Sequence, residues 1–236
     1  EPGDTTSVLG FNTEEWVVFD VATMMIGGAC AGIYTTNSPG ECKYILEHSE
    51  AKVVLVENQH QWDKIDQVRA DLPNLLKTVT MRRSEAIDHE FVSSWDAFIE
   101  LGKDVADADV DARLEALKME DLATFIYTSG TSGEPKGVMT TAGNVRFMLD
   151  TIDRRLTELM GRPGGRDRVF HYLPFCFAGS RFVLWSNLYR ENGVMVSTDL
   201  SNLPEELKTA QPEWFLNVPA LLERVKEGVE KKIAGQ

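Results

Sequence analysis

Short apolar runs alternate along the chain with longer segments in which apolar residues recur every three or four positions. This alternation is typical of α/β proteins in which helices flank a largely parallel sheet. The predicted strands cover residues 6–10, 52–56, 78–81, 123–127, 138–140, 168–172, 194–196 and 214–217. The predicted helices cover residues 14–28, 39–48, 59–70, 93–101, 142–160, 181–190, 203–210 and a segment that begins at residue 219.

Capping signals predict the starts of two of these helices. Asn12 can cap the first helix, with Glu15 at the reciprocal position of a capping box. Ser38 and Glu41 form a second capping box, and Pro39 occupies the first helical position, where its missing N–H leaves no hydrogen bond unmade. We therefore expect both helices to begin directly after these caps.

Two segments do not follow the alternation. The longest apolar stretch, residues 16–31, contains Asp20 and is shorter than the ~20 residues of a membrane span, so we predict a core helix and no transmembrane segment. Residues 104–120 are acidic and lack a strong period, which predicts a surface excursion before the core strand 123–127.

The composition excludes several classes of protein. Hydrophobic residues make up 43% of the 236 residues, which is enough for a sizeable core in one large domain or two small ones. The formal net charge of −13 argues against a nucleic-acid partner and against simple electrostatic attachment to anionic lipid. Cys30, Cys42 and Cys176 are odd in number and lack metal-ligand spacing, so we expect thiols in an intracellular, reducing compartment and no protein-bound metal centre.

The most informative segment runs from Tyr127 to Gly137 and reads Tyr-Thr-Ser-Gly-Thr-Ser-Gly-Glu-Pro-Lys-Gly. Gly130 and Gly133 let backbone N–H groups approach an anion closely, the hydroxyl side chains add donors, and Lys136 adds a positive charge. The segment lies between two β-rich runs, which is where phosphate loops of α/β proteins lie. These features predict a loop that binds phosphate.

Three other kinds of phosphate loop do not match this segment. A Walker A loop has lysine directly after its second glycine and then serine or threonine, whereas Gly133 is followed by Glu134 and Pro135. A kinase glycine loop and a dinucleotide fingerprint do not fit either, because no G-x-G-x-x-G occurs in the chain. The remaining alternative is a flexible Ser/Thr/Gly linker that happens to contain a lysine.

The loop resembles the signature loop of the adenylate-forming superfamily, which includes acyl-CoA synthetases, luciferases and peptide-synthetase adenylation domains. Other segments are similar to long-chain acyl-CoA synthetases, and most of all to their bubblegum-type branch. The matching segments are residues 10–16, 32–39, 56–59, 172–174 and 218–220. The resemblance implies that residues 1–236 are a partial AMP-binding N-terminal domain, with the phosphate loop at 127–137 and without the C-terminal lid domain of complete members.

The same resemblance implies an ATP-dependent acid–thiol ligase. ATP, accompanied by Mg²⁺, and a fatty acid would give an acyl-adenylate and pyrophosphate, and coenzyme A would then take the acyl group as a thioester. The partners would be these small molecules in a cytoplasmic setting, with peripheral membrane contact of the whole protein left open. Lys136 and Thr131 are implied to act in catalysis. The implied ATP-binding residues are Thr128, Ser129, Gly130, Thr131, Ser132, Gly133, Glu134, Pro135 and Lys136.

The segment after residue 174 departs from the family pattern. Phe177 stands where long-chain members commonly have a histidine, and Ser180 lies near a position that is often acidic or an amide. Phe177 is predicted either to line an apolar acyl site or to belong to the core. Arg181 matches an arginine of many relatives and is predicted either as a substrate-pocket residue or as an exposed residue at a helix start. His171 is predicted to be a buried structural histidine.

Several segments that the family uses are not recognised in the chain. They are an aromatic-glycine step before a Thr-Glu pair that holds adenine and Mg²⁺, an aspartate for the ribose, a hinge, and a catalytic lysine on the C-terminal domain. We therefore expect an inactive fragment of a larger enzyme. The alternatives are an enzyme that adenylates an aryl, luciferin-like or amino acid, a pseudoenzyme that binds nucleotide or acyl chains, and an interaction module that uses an exposed sheet edge.

Overall fold

The computed structural model describes residues 1–128 and 135–234. Within these residues the strands are β1 (Thr5–Leu9), β2 (Ala29–Ile33), β3 (Ala51–Val56), β4 (Lys77–Thr80), β5 (Val92–Ser94), β6 (Leu122–Thr128), β7 (Lys136–Thr141), β8 (Arg168–His171) and β9 (Gly193–Val196). The α-helices are α1 (Glu14–Met25), α2 (Pro39–His48), α3 (Gln59–Asp66), α4 (Trp95–Glu100), α5 (Asp107–Ala116), α6 (Ala142–Met160), α7 (Ala178–Tyr189), α8 (Leu203–Ala210) and α9 (Pro219–Ala234). In the same part of the chain, none of these helices combines the length and the apolar character needed to cross a bilayer.

The larger sheet has the strand order β5-β4-β3-β1-β2-β6-β7. All neighbouring strands in it are parallel except β6 and β7, which form an antiparallel hairpin. The smaller sheet pairs β8 with β9 in parallel. The predicted α/β class, with a largely parallel sheet flanked by helices, is therefore confirmed. The predicted strand 214–217 is wrong in extent, because it contributes only one parallel bridge, from Trp214 to Val169.

Helices cover both faces of the larger sheet, which explains why its central strands are apolar at consecutive positions. Val8 of β1 packs with residues of α1, α4 and α7, while the adjacent Leu9 packs with residues of α2 and α3. Leu55 and Val56 of β3 divide between the two layers in the same way. Each such buried side chain contributes about 1.5–3 kcal/mol by leaving water, so the centre of the sheet anchors the fold.

One of the two capping predictions is confirmed and the other is wrong by one residue. The N–H of Ser38 donates to the Glu41 carboxylate over 2.7 Å, and the Ser38 hydroxyl accepts from the Glu41 N–H over 3.3 Å, so α2 begins with the predicted capping box. The cap of α1 is Thr13, whose hydroxyl accepts from the N–H of Trp16. Asn12 is fully buried and contacts a distant segment instead.

The apolar stretch 16–31 is not one helix, which corrects the prediction. After α1 the chain reverses at Gly27, where φ is +80°, and then enters β2. Glycine adopts this φ without steric cost, and a Cβ on the next residue, Gly28, would lie 2.8 Å from the carbonyl oxygen of Asp4. Apolar periodicity does not distinguish a buried helix from a buried strand that follows it directly, so the two glycines were the available signal.

Other predicted boundaries differ where pairing or packing overrides the local pattern. Residues 93–101 divide between β5 and α4, because the first of them pair with β4 at the edge of the sheet. The predicted helix 59–70 ends with α3 and is followed by a 3-10 turn at Arg69–Asp71. Residues 104–120 contain α5, although no residue of that helix is buried. The bounds of α6 and α8 agree with the prediction.

Candidate functional site

The β6–β7 hairpin holds the two ends of the predicted phosphate loop side by side. Thr128, the last residue of β6, pairs with Lys136, the first residue of β7, and Tyr127 pairs with Gly137. Thr128 and Lys136 are exposed. The remaining predicted ATP-binding residues of the loop, Ser129, Gly130, Thr131, Ser132, Gly133 and Glu134, lie outside the described residues, and their roles stay predictions.

Tyr127 anchors the stem of this hairpin. Its ring packs so closely on the neighbouring strand that a Cβ at Gly137 would lie 3.1 Å from it. Its hydroxyl is 2.9 Å from Nδ1 of His48 at the end of α2. Burial raises the pKa of Tyr127 to about 12, so the phenol is neutral at physiological pH. The stem therefore has a fixed attachment to the helical layer on one side of the sheet.

A cavity of about 390 Å³ lies directly beside the hairpin stem. It opens at the carboxyl ends of β2 and β6, which are adjacent parallel strands, and beside the beginning of α7. Such an edge is the usual ligand position in open α/β sheets. The cavity brings together Thr128 and Pro135 from the loop stem and Phe177 from the segment before α7, which are far apart in sequence.

One part of the cavity wall is polar. Asn37 and Glu41 line it near the start of α2, and Tyr34 lines it from the end of β2. The N–H and hydroxyl of Ser38 both donate to the Glu41 carboxylate, and these bonds hold the pKa of that carboxyl below its ordinary value. Burial raises the pKa of Tyr34, so its hydroxyl remains a hydrogen-bond donor. This wall can accept hydrogen-bonding groups of a ligand.

The rest of the cavity wall is apolar. Gly32, Ile45, Ile126 and Phe177 line it, and the Phe177 side chain is 39% exposed. Phe177 is thus a lining residue, as one of the two alternatives for it predicts, and it does not belong to the closed core. Polar and apolar walls in one cavity suit a ligand that carries both kinds of group.

Gly32 determines how closely the segment before α7 lies against β2. A Cβ at Gly32 would lie 2.8 Å from Cβ and 2.9 Å from Cα of Cys176, so a larger residue would push that segment away. The sequence pattern alone did not predict this role of Gly32. A glycine inside a strand is the signal that was present, because it often marks a close approach of another backbone.

Asn12 is a second residue with a role that its local sequence does not predict. Its Nδ2 donates to the carbonyl oxygen of Leu173, and its Oδ1 accepts from the N–H of Phe175, each over 2.9 Å. These bonds bracket Pro174 and satisfy two backbone groups at once. Asn12 therefore joins the loop after β1 to the segment that leads to the cavity wall at Phe177.

Arg181 has neither an exposed position nor a place in the cavity lining. Its side chain is fully buried in the first turn of α7 and forms an ion pair with Asp20 of α1. The interpretation of Arg181 as an exposed helix-start residue is wrong, because the Asp20 carboxylate and the indole ring of Trp16, both distant in sequence, enclose the guanidinium together with the ring of Trp185.

The three cysteines are buried thiols. Burial raises the pKa of Cys30 and Cys176 to about 12 and that of Cys42 to about 11. A thiolate is the reactive form of cysteine, and at physiological pH these groups are protonated. Cysteine nucleophiles therefore do not explain any chemistry at this cavity.

His171 is buried and hydrogen-bonded, as predicted. Its Nε2 is 2.6 Å from the Ser180 hydroxyl, which itself donates to the carbonyl oxygen of Leu173 over 2.8 Å. Since the serine proton is used in that second bond, His171 is the donor in the first. Burial lowers the pKa of His171 to about 4, so the ring is neutral and structural.

This neutral histidine predicts a pH-dependent part of the folding stability. The pKa of His171 is lower in the folded chain than in the unfolded chain, where it is about 6.5, so the unfolded state binds the extra proton first. The contribution of the neutral His171 to the free energy of unfolding is therefore complete above pH 6.5. It is lost as the pH falls toward about 4. The difference in free energy of unfolding between the wild type and His171→Gln, measured by urea unfolding, should shift against the wild type by about 1.3 kcal/mol between pH 7.5 and pH 5.5.

His60 gives the control for this measurement, because it is exposed on α3. His60→Gln should show a stability difference that changes little between the two pH values. An unchanged difference for His171→Gln would contradict the assignment of a buried, neutral ring.

Comparison with known proteins gives a family match over almost the whole chain: the AMP-binding enzyme family matches residues 1–235. The long-chain-fatty-acid–CoA ligase ACSBG2 of Xenopus laevis is 32% identical over 224 residues, which are 93% of this chain and 30% of the relative. The curated relatives include the ligases ACSBG1 and ACSBG2, so the resemblance to the bubblegum-type branch is confirmed. The chain spans about a third of the length of the curated relatives it matches.

Solved structures share the fold. The A-PCP didomain of carboxylic acid reductase from Segniliparus rugosus, in complex with AMP, matches with a TM-score of 0.77 at 18% identity, over 99% of this chain and 34% of that one. A fatty acyl CoA synthetase from Mycobacterium tuberculosis matches with a TM-score of 0.71 at 21% identity, over 94% of this chain and 40% of that one. At these identities the similarity establishes the fold and nothing beyond it.

Proposed function

The chain belongs to the AMP-binding enzyme family, and from this membership we propose that it is the N-terminal part of a long-chain fatty acid–CoA ligase. In the proposed reaction a carboxylate oxygen of the fatty acid attacks the α-phosphorus of ATP, and pyrophosphate leaves. The sulfur of coenzyme A then attacks the acyl carbon, loses its proton, and AMP leaves. Adenylate formation as the reaction class follows from the family, whereas the long-chain fatty acid is the proposed substrate.

One observation carries the proposal: a single cavity joins the stem of the predicted phosphate loop to an apolar wall. Thr128 and Pro135 border it on the loop side, and Ile126 and Phe177 offer contact area for an alkyl chain. Adenylation needs both environments in one site, because the carboxylate of an apolar acid must meet the α-phosphorus of a polyanion. A cavity of this kind favours a fatty acid over a fully polar substrate.

We assign the phosphates of ATP to the loop from Thr128 to Lys136. Thr131 and Lys136 are proposed to stabilise the negative charge that develops on the leaving pyrophosphate, with backbone N–H groups at Gly130 and Gly133 as further donors. The exposed lysine beside the cavity fits a polyanion, because its ammonium remains free to follow the ligand. Mg²⁺ would arrive with ATP as part of the substrate and would rely on few protein ligands.

The other parts of the site are assigned to residues beyond this chain. Since the curated relatives are about three times as long, we propose that the additional length supplies the groups for adenine, ribose and coenzyme A. A C-terminal lid domain with the catalytic lysine is part of that proposal. The 236 residues then contribute the phosphate loop and part of the acyl wall.

A substrate comparison with the full-length protein tests the proposal. The protein is incubated with ATP, Mg²⁺, coenzyme A and one acid at a time, and the thioester is measured by mass spectrometry. Palmitate should give acyl-CoA, while benzoate and phenylalanine should give at least 10-fold less, because they fill an alkyl site poorly. Preferential activation of benzoate or phenylalanine would replace the fatty acid in the proposal by that acid.

A non-catalytic nucleotide-binding protein is the second candidate, and Phe177 is the observation that favours it. The family commonly has a histidine at this position, and the phenylalanine side chain removes a hydrogen-bonding group from the cavity wall. Calorimetry of the full-length protein with ATP and Mg²⁺ distinguishes the two candidates. Binding heat without any thioester or pyrophosphate product would favour the non-catalytic protein.

A further inference from the structure

Arg181 lies at the meeting point of α7, α1 and β2, and two of these elements, α7 and β2, reach the cavity. Its Nη2 pairs with Oδ1 of Asp20 on α1, and its Nε donates to Oδ2 of the same carboxylate over 3.3 Å. Nη2 also donates to the carbonyl oxygen of Cys30 in β2 over 3.2 Å. The guanidinium therefore connects α7 both to α1 and to β2 by hydrogen bonds.

Two tryptophans restrict this ion pair further. The guanidinium carbon lies 4.9 Å from the ring centre of Trp16 and 5.1 Å from that of Trp185. The indole N–H of Trp185 donates to Oδ2 of Asp20 over 2.9 Å, so two side chains of α7 bond this carboxylate of α1. Stacking and bidentate pairing both depend on the planar guanidinium, which lysine does not reproduce.

Two of the connected elements, α7 and β2, continue directly into the cavity wall. Phe177 of the wall immediately precedes α7, and Ala178 of the wall begins the first turn of that helix, which contains Arg181. Gly32 of the wall lies in β2, two residues after Cys30. The close contact between Gly32 and the residue before Phe177 leaves little room for adjustment between these two walls.

A buried ion pair resists displacement for an electrostatic reason. Moving α7 relative to α1 would separate two fully buried side chains, Arg181 and Asp20, and an uncompensated buried charge is strongly unfavourable. An apolar contact of the same size would tolerate a small slide much better, because it has no preferred direction. The ion pair between Arg181 and Asp20 thus restricts the first turn of α7 to one position relative to α1.

From these contacts we propose that Arg181 is a positioning residue, which sets the separation of the Gly32 and Phe177 walls and so orients the carboxylate end of the acyl substrate. It acts through α7 and does not touch the ligand. The proposal rests on the proposed function for the identity of the ligand. The positioning of Phe177 is a structural statement that can be tested without any activity.

Arg190 supplies a matched control at the other end of the same helix. It is also a buried arginine, and its Nη1 donates to Oδ1 of Asp153 over 2.5 Å and to Thr157 over 3.0 Å. The twelve residues of α7 place it roughly 18 Å from the cavity end. Arg181→Met and Arg190→Met both remove a buried cation, but only the first removes it beside the cavity.

The first measurement is the labelling of Cys176 by a thiol reagent in the folded full-length protein, followed by peptide mass spectrometry. Cys176 is buried directly before Phe177, so it reports on the segment that Arg181 is proposed to hold. Arg181→Met should accelerate its labelling at least 10-fold under native conditions, and Arg190→Met should leave it near the wild-type rate. Equal rates in the two variants would overturn the proposal, whether or not the protein is a ligase.

The second measurement is steady-state kinetics with palmitate, normalised to the folded fraction. Arg181→Met should lower kcat/KM for palmitate about 10-fold, Arg181→Lys should give an intermediate loss, and Arg190→Met should retain the wild-type value. If Arg181→Met does not fold, Arg181→Lys carries both measurements. If the wild-type protein forms no thioester, the proposed function is refuted, but the labelling result remains valid. If Arg181→Met shows normal palmitate kinetics, the role of Arg181 in positioning the substrate is refuted.

Discussion

Replacing Lys136 with alanine in the full-length protein is expected to lower kcat/KM for ATP about 100-fold, the usual effect of losing one electrostatic stabiliser of a transition state. Lys136 is the first residue of β7 and pairs with Thr128 across the hairpin stem, so its ammonium lies where the predicted phosphate loop closes. Because negative charge develops on the leaving pyrophosphate, a cation there stabilises the transition state more than the bound substrate.

The fold should survive this substitution, since the Lys136 side chain is exposed and its backbone bonds to β6 do not depend on it. Lys208→Ala is the matched control, because Lys208 is an exposed lysine on α8 that pairs with Glu205. It should retain wild-type kinetics. Lys136→Arg should recover part of the lost rate if charge is what matters. Unchanged pyrophosphate release in Lys136→Ala would reject the role assigned to this residue.

The second large effect concerns the 236 residues expressed on their own, which should form no detectable acyl-adenylate with ATP, Mg²⁺ and palmitate. The segments that the family uses for adenine and ribose are not recognised among them. The Thr-Glu pair that follows Lys136, Thr157-Glu158, lies inside α6, in a helix and not in a binding loop. Without the contacts that orient the nucleotide, the α-phosphorus is not presented to the carboxylate.

The measurement is a coupled pyrophosphate-release assay on the isolated chain, with the full-length protein as the positive control. Circular dichroism and a cooperative urea transition establish that the isolated chain is folded, so that inactivity is not the result of unfolding. Turnover of the isolated chain above the no-enzyme background would contradict the prediction. It would show that these residues contain a complete adenylation site.

Much of the fold could be predicted from short stretches of sequence. The capping box of Ser38 and Glu41, the bounds of α6 and the buried strand β3 were all predicted, and each depends on residues within about one or two helical turns or one strand. The phosphate loop is also a continuous segment, so its chemistry could be recognised from residues 127–137 alone. Local hydrogen bonds and hydrophobic periodicity are properties of neighbouring residues.

The errors arose where a residue's partner lies far away in the sequence. Arg181 was predicted either as a substrate-pocket residue or as an exposed residue at a helix start, yet it is buried against its partner Asp20, 161 residues earlier in the chain. Asn12 looked like a helix cap, but its hydrogen bonds reach Leu173 and Phe175. No local pattern encodes such pairs, because they form only when β1, β2 and the start of α7 pack together.

The residues by themselves therefore determined the α/β class, most of the helix and strand positions, and a loop with the composition to hold phosphate. The folded chain alone established that this loop stem shares a cavity with Phe177, and that Arg181 is buried in an ion pair with Asp20. The physical reason is that propensity and capping act over a few residues. The width of a cavity and the burial of a charge depend on which distant segments the sheet brings into contact.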